Sequence, residues 1–161
     1  MLEEVEIEII KNSLMKLYLE DFYYFCQSIG GDTAVVMGEI LKARADQRAI
    51  NITLNSFGTP LNEPSMRTSD RKRLYPSIGF LYPAGIDKLA DVADEAALGG
   101  ALDYHPTYRE IWAVHQNESM DDRSIDDAFY EREVRMLELA FEGQMHFGAL
   151  LATGGCAVVG V

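Results

Sequence analysis

The chain has 161 residues, 48% of them hydrophobic and 25% charged, a balance that supports one ordinary globular domain with a buried core. Its 26 acidic against 14 basic residues give a formal charge of -12. That charge repels a phosphate backbone and an anionic lipid surface at long range, which argues against a nucleic-acid partner.

In chain order, Val5, Ile9, Leu14, Leu17, Phe22, Phe25 and Ile29 recur at spacings of three to five and predict a long amphipathic helix with one buried stripe. Gly30-Gly31 stops it, and Asp32-Thr33 offers side-chain oxygens to cap a second helix, so the chain is expected to turn back as a helical hairpin. The second arm carries Met37, Leu41, Ala45, Ala49 and Ile52 on one stripe, edged by Arg44, Arg48, Asn51 and Asn55. Its end, Ile50 to Asn55, alternates apolar and polar as a strand would, but the apolar spacing from Met37 runs unbroken into it and helix is predicted. Phe57-Gly58-Thr59-Pro60 ends that helix.

Residues 59–69 read as a loop, with Ser69 or Asp70 capping a short basic helix to Leu74 that Tyr75-Pro76-Ser77-Ile78-Gly79 closes. The basic cluster Arg67, Arg71, Lys72 and Arg73 is read as a solvated helix face. Tyr82-Pro83 opens another helix with Ile86, Leu89, Ala90 and Ala93 on its apolar face, and Gly99-Gly100 is expected to break it. His105-Pro106 opens a helix through Ile111 and Val114 with the single tryptophan, Trp112. Gln116 to Arg123 reads as an exposed loop. Ser124 with Asp127 three residues on then caps a third long helix marked by Phe129, Val134, Leu137, Phe141 and Phe147. The fold class is all-α, without internal repeats.

From Gly143 to Val161 there is no charge, over a length near that of a membrane span, but Gln144, His146 and five glycines dilute it, and an incomplete sequence is the preferred reading. Cys26 and Cys156 show no metal-ligand spacing; Cys26 is read as a small buried hydrophobe in a reducing compartment, with a disulfide left open. The acidic N-terminus has no signal-peptide pattern.

No motif with a reaction mechanism emerges. His105 reads as a turn or cap residue, and His115 as a helix-end residue suited to the dipole. His146 lies four residues after Glu142, where a helical di-iron site needs Glu-x-x-His, and no metal or cofactor is expected. Glu131, Glu133 and Glu138 with Arg132 and Arg135 form an ionic helix surface. Phosphate-cradling glycine loops and serine-nucleophile motifs are absent.

Several separated blocks resemble one family. Val5-Glu6-Ile7-Glu8-Ile9-Ile10-Lys11-Asn12, Tyr18-Leu19-Glu20-Asp21-Phe22-Tyr23, Ala45-Asp46-Gln47-Arg48-Ala49, Asn55-Ser56-Phe57-Gly58-Thr59, Leu81-Tyr82-Pro83-Ala84-Gly85, Tyr130-Glu131-Arg132-Glu133-Val134 and Gln144-Met145-His146-Phe147-Gly148 are similar, in order, to subunit d of V-type proton ATPases and its counterpart in the archaeal rotary ATPases. The likeness spans about residues 4–150. It implies an all-helical, funnel-shaped, non-catalytic protein, peripheral on the cytoplasmic face of vacuolar or endosomal membranes. Its partners would be the proteolipid ring and the central stalk, which it couples for ATP-driven proton transport.

The family-motif positions Asp46, Arg48, Asn55, Phe57, Gly58, Glu131, Glu133, His146 and Phe147 would carry structural or interface roles. The aromatics Phe22, Tyr23, Tyr24, Phe57 and Phe147 are expected in the core. The resemblance places Met1 where the family's second half begins and makes 60–69 an insertion. It also separates a subunit-like region, 1–151, from a divergent apolar tail, 152–161. The alternatives are a free-standing helical binding module, a non-assembling fragment, and a helical enzyme with a site among Glu131, Glu142 and His146.

Overall fold

The structure, a computed structural model, describes residues 2–117 and 124–144. These form helices and connecting turns with no strand, in agreement with the all-α expectation. The principal helices are α1 (Leu2–Ile29), α2 (Gly31–Ser56), α5 (Ala84–Asp91), α6 (Glu95–Leu102), α7 (Pro106–Asn117) and α8 (Ile125–Gln144). Single turns α3 (Pro64–Met66) and α4 (Lys72–Leu74) lie between α2 and α5.

The hairpin forms at the predicted glycines. Gly30 (φ 75°) and Gly31 (φ 57°) occupy the left-handed region that side chains resist, and this reverses the chain in a single step. The cap differs from the expectation. Gly30 itself precedes α2, its carbonyl accepting from the Ala34 N–H at 3.3 Å, with no side-chain cap. Asp32 and Thr33 therefore already lie in the first turn, where the Asp32 charge suits the helix dipole.

In α2 the pattern reading holds to the end, since Ile50–Asn55 is helical. Met37, Leu41, Ala45, Ala49 and Ile52 are all buried. The neighbouring polar line ties α2 to its surroundings: Arg44 to Glu133 at 2.6 Å, Arg48 to Asn12 at 3.0 Å, and Asn51 to Asp126 at 2.6 Å. Two apolar clusters result. One joins Ala49, Ile50 and Ile52 to residues of α4, α5, α6, α7 and the start of α8. The other gathers Leu19, Cys26, Met37, Ile40, Leu41, Ala45, Ile78 and Leu137 around the hairpin. Cys26 is a buried free thiol, as read, and burial pushes its pKa up.

Three expectations fail. The segment after α2 is a run of helical turns: a 3-10 turn at Pro60–Asn62, α3, a π turn at Arg67–Arg71, and α4. Pro60 and Pro64 preset the first turns. Ser69, expected as a cap, instead donates to the Ser65 carbonyl within the run. Gly99 and Gly100 do not break a helix but lie inside α6. A Cβ on Gly99 would stand 2.6 Å from Trp112 Nε1, so the glycine lets α6 and α7 approach closely. The preceding helix ends earlier, at Asp91, which leaves Ala93 exposed beyond it.

The third failure concerns Arg71, which is not on a solvated face: it is fully buried. Its Nη1 donates to Ser56 Oγ (2.9 Å) and Asn62 Oδ1 (3.1 Å), while Nη2 donates to the carbonyls of Leu89, Ala90 and Val92 at 2.6–3.0 Å. The guanidinium thus caps the C-terminal end of α5, where orphan carbonyls and the dipole favour a cation. Burial lowers its pKa, yet an arginine stays protonated. Lys72 and Arg73 of the same cluster are exposed, as read.

At α8 the capping reading holds, with the Ser124 N–H donating to Asp127 Oδ2 at 2.9 Å. His105 also behaves as a cap residue, its carbonyl accepting from Arg109 N–H at the start of α7. Replacing Arg71 with Met removes five hydrogen bonds, three of them to carbonyls at the end of α5, and should lower unfolding free energy by roughly 3–5 kcal/mol in urea titration. Arg71→Lys, whose single ammonium cannot span both acceptor sets, should fall between the two.

Candidate functional site

The family-motif positions do not converge on one place. Asp46, fully buried in the middle of α2, is the one that organises its surroundings. Its Oδ2 accepts from the Phe80 N–H (2.8 Å) and from the Tyr108 hydroxyl (2.6 Å), and both oxygens lie within reach of the Leu81 N–H, at 3.2 and 3.3 Å. One carboxylate thus joins α2, the 79–81 turn and α7. Gly79 makes this possible: its φ of +124° suits only glycine, and a Cβ there would overlap Asp46 Oδ1.

Burial raises the Asp46 pKa from its ordinary 3.8 to about 6, against the opposing pull of the Tyr108 hydroxyl, the Leu81 and Phe80 N–H groups and the Arg132 charge. Tyr108 is driven up in turn by its own burial, then by the Asp46 charge and hydrogen bond. Arg132 stands over the Tyr108 ring at 5.5 Å and His105 stacks on it at 4.5 Å. Burial, then the Arg132 charge, lowers the His105 pKa.

The other motif residues divide between packing and an open cleft. Phe57 packs partly buried against the larger cluster, and Glu133 holds Arg44. Arg48, Asn55 and Gly58 line a cleft of about 1130 Å³ between the first half of α1, the end of α2 and the turns that follow. Lys11 and Arg48 line it together with Glu8, Glu63 and Asp126, so its walls carry both signs of charge, and Lys11 pairs with Glu8 on the same helix at 3.2 Å. Glu131 is exposed on α8. His146 and Phe147 lie outside the described residues.

Glu131 and Glu142 are eleven residues apart, about 16 Å along α8, too far to share a proton. Among the described residues no three His, Cys, Asp or Glu side chains group as metal ligands, and no helix is long and apolar enough to cross a membrane. His115 Nε2 stands 3.8 Å from Glu95, near the end of α7. Sequence reasoning names Asp46 but misses its partners: Tyr108 and Gly79 belong to no motif, and only the three-dimensional structure brings them together.

The model of the ATP synthase (C/AC39) subunit family matches residues 1–153. The chain belongs to this family. It is 44% identical over 151 residues to the V-type proton ATPase subunit d of Dictyostelium discoideum, covering 94% of this chain and 40% of that protein. It is 45% identical over 152 residues to subunits d1 and d2 of Arabidopsis thaliana, again covering 94% of this chain and 41% of each relative. The chain thus spans about two-fifths of the length of the curated relatives it matches. Within this C/AC39 family member, the motif around Asp46 holds a turn and a helix in place.

The raised Asp46 pKa has a definite sign. A carboxyl that binds its proton more tightly folded than unfolded contributes most stability below about pH 4 and loses it as pH rises through about 6. Relative to Asp46→Asn, the natural chain should therefore lose on the order of 3 kcal/mol between pH 4 and pH 7 in urea titrations. A difference that stays flat or grows with pH contradicts this. Asp46→Ala, which strands the buried donors Leu81 N–H and Tyr108 hydroxyl, should destabilise by about 3–5 kcal/mol.

Proposed function

We propose that the chain serves as a non-catalytic helical element of the membrane sector of a rotary V-type proton ATPase, coupling the central stalk to the proteolipid ring. The observation that carries this reading is the family match over 1–153, together with relatives named V-type proton ATPase subunit d at 44–45% identity over 94% of the chain.

The physical arrangement supports it. An adaptor that passes torque between two partners needs long helices that do not slide or bend under load. Here α2 is fixed along its length by the Arg44–Glu133 pair, the Asp46 carboxylate, the Arg48–Asn12 bond and the Ser56–Arg71 contact. These are directional hydrogen bonds, several of them charge-assisted, and they resist rotation of α2 better than apolar packing does. The cleft lined by Arg48, Asn55 and Gly58 and the exposed Glu131 are candidate contact points for the ring or the stalk. The protein would attach peripherally, through the complex, at the cytoplasmic face of vacuolar or endosomal membranes.

The test is to express a tagged copy in a eukaryotic cell and pellet membranes carrying the assembled pump. The expected outcome is co-sedimentation with pump subunits through a salt wash and release by carbonate. A chain that stays in the supernatant, or pellets without pump subunits, overturns the assignment.

A further inference from the structure

Three polar contacts set the rotation of α1. Asn12 accepts from Arg48 (3.0 Å), Lys16 donates to the Arg73 carbonyl (2.9 Å), and Glu20 accepts from the Ser77 N–H (2.6 Å). They turn Leu14, Leu17, Tyr24, Phe25 and Ile29, which the sequence pattern places inward, out to solvent. They also hold Met15 and Phe22 beside α2, where a recess of about 400 Å³ opens between the two arms of the hairpin. That recess shares Arg48, Asn51 and Asp126 with the larger cleft, so the two form one groove along α2.

The groove follows α2 from Ile40 to Asn55, about 22 Å of helix, a length that an extended chain of about seven residues covers. The end nearer the hairpin turn is apolar and aromatic, through Met15, Tyr18, Phe22 and Ile40. The other end is lined by amides. Asn51 and Asn55 stand one turn apart on α2, about 6 Å along its axis. Asn51 donates one N–H to Asp126, and the Asn55 side chain makes no hydrogen bond to another described residue.

In an extended chain every second residue turns its N–H and C=O to the same edge, at a spacing of about 6.6–6.8 Å. A primary amide carries a donor and an acceptor side by side. Two of them at the Asn51–Asn55 spacing therefore match the main chain of an extended segment, and they find no such match in a helix, whose backbone groups are already paired.

Charge selects the segment. Lys11 is answered by Glu8 on its own helix at 3.2 Å, which leaves Glu63 and Asp126 against Arg48. The groove also runs to the C-terminal, negative end of α2, whose last turn has no basic residue of its own. We propose that this groove binds an extended, cationic segment of another polypeptide. Its main chain lies on Asn51 and Asn55, its lysine or arginine side chains point toward Glu63 and Asp126, and its apolar end fills the recess beside Phe22. Binding here deepens the contact role proposed for the cleft and rests on that reading for the polypeptide that supplies the segment.

The probe is a fluorescein-labelled synthetic peptide, acetyl-Ile-Ser-Phe-Ser-Lys-Ser-Lys-amide, and its reverse sequence, each titrated with the full chain by fluorescence anisotropy. The expected result is saturable binding of one of the two. It should weaken about tenfold when glutamates replace the lysines, when alternate peptide nitrogens are methylated, and in Asn55→Leu. Because Asn55 is exposed and unbonded, Asn55→Leu should leave the melting temperature unchanged.

No saturable binding of either peptide up to about 1 mM overturns the proposal. So does equal binding of the methylated peptide, tighter binding of the glutamate peptide, or an unchanged affinity in Asn55→Leu. A chain that dimerises, with a dimer that Asn55→Leu dissociates, assigns the groove to a second copy and overturns it too. Pump association is scored separately by membrane pelleting. A chain that binds the peptide but does not pellet with pump subunits loses the pump assignment and keeps the groove; one that pellets without binding the peptide does the reverse.

Discussion

Everything in this fold is arranged around a carboxylate buried away from solvent. Asp46 sits at the midpoint of the longest buried helix, and its oxygens accept from two backbone N–H groups of an irregular turn and from a tyrosine hydroxyl. An unpaired charge there would cost several kcal/mol, so the donors must be present, and their presence dictates the course of the 79–81 turn and the seat of α7. Gly79 is required because the turn must come closer to the carboxylate than any side chain allows.

Arg71 repeats the logic with the opposite sign. The two buried charges are not partners. Asp46 satisfies N–H groups and Arg71 satisfies carbonyls, so each supplies hydrogen bonds that an irregular backbone cannot make to itself. Both centres also engage α2, one through Asp46 itself and the other through Ser56. The helix is consequently held at two levels by polar contacts of fixed direction, with apolar clusters filling the space between. The rotation of α1 follows, because its polar partners Arg48, Arg73 and Ser77 lie on or next to elements that these charges position. Holding that side of α1 against the bundle turns its other, apolar side outward.

The sequence is legible where local chemistry decides the outcome. The Gly30-Gly31 reversal, the helix through Ile50–Asn55, the proline and histidine starts of α5 and α7, and the Ser124–Asp127 start of α8 all depend on residues within a few positions of one another. Periodicity is less informative about α1. It shows which side chains share a face but not which face is covered, so it places Leu14 and Leu17 inward when the polar anchors at Asn12, Lys16 and Glu20 hold them outward. Arg71 is hidden among basic neighbours that are exposed, and its five acceptors come from residues 9 to 21 positions away. Gly99 reads as a breaker because nothing in sequence places Trp112 against it. Asp46 stands out only through family resemblance; its task depends on Tyr108, 62 residues further on.

The most direct measurement of the central role of Asp46 is native-state hydrogen exchange at the amides of Phe80 and Leu81. These lie in a turn outside any helix and would ordinarily exchange by local opening. If the buried carboxylate holds the turn, both amides should exchange only through global unfolding, with the same free energy as the core of α2. Exchange as fast as that of an exposed turn would contradict the account.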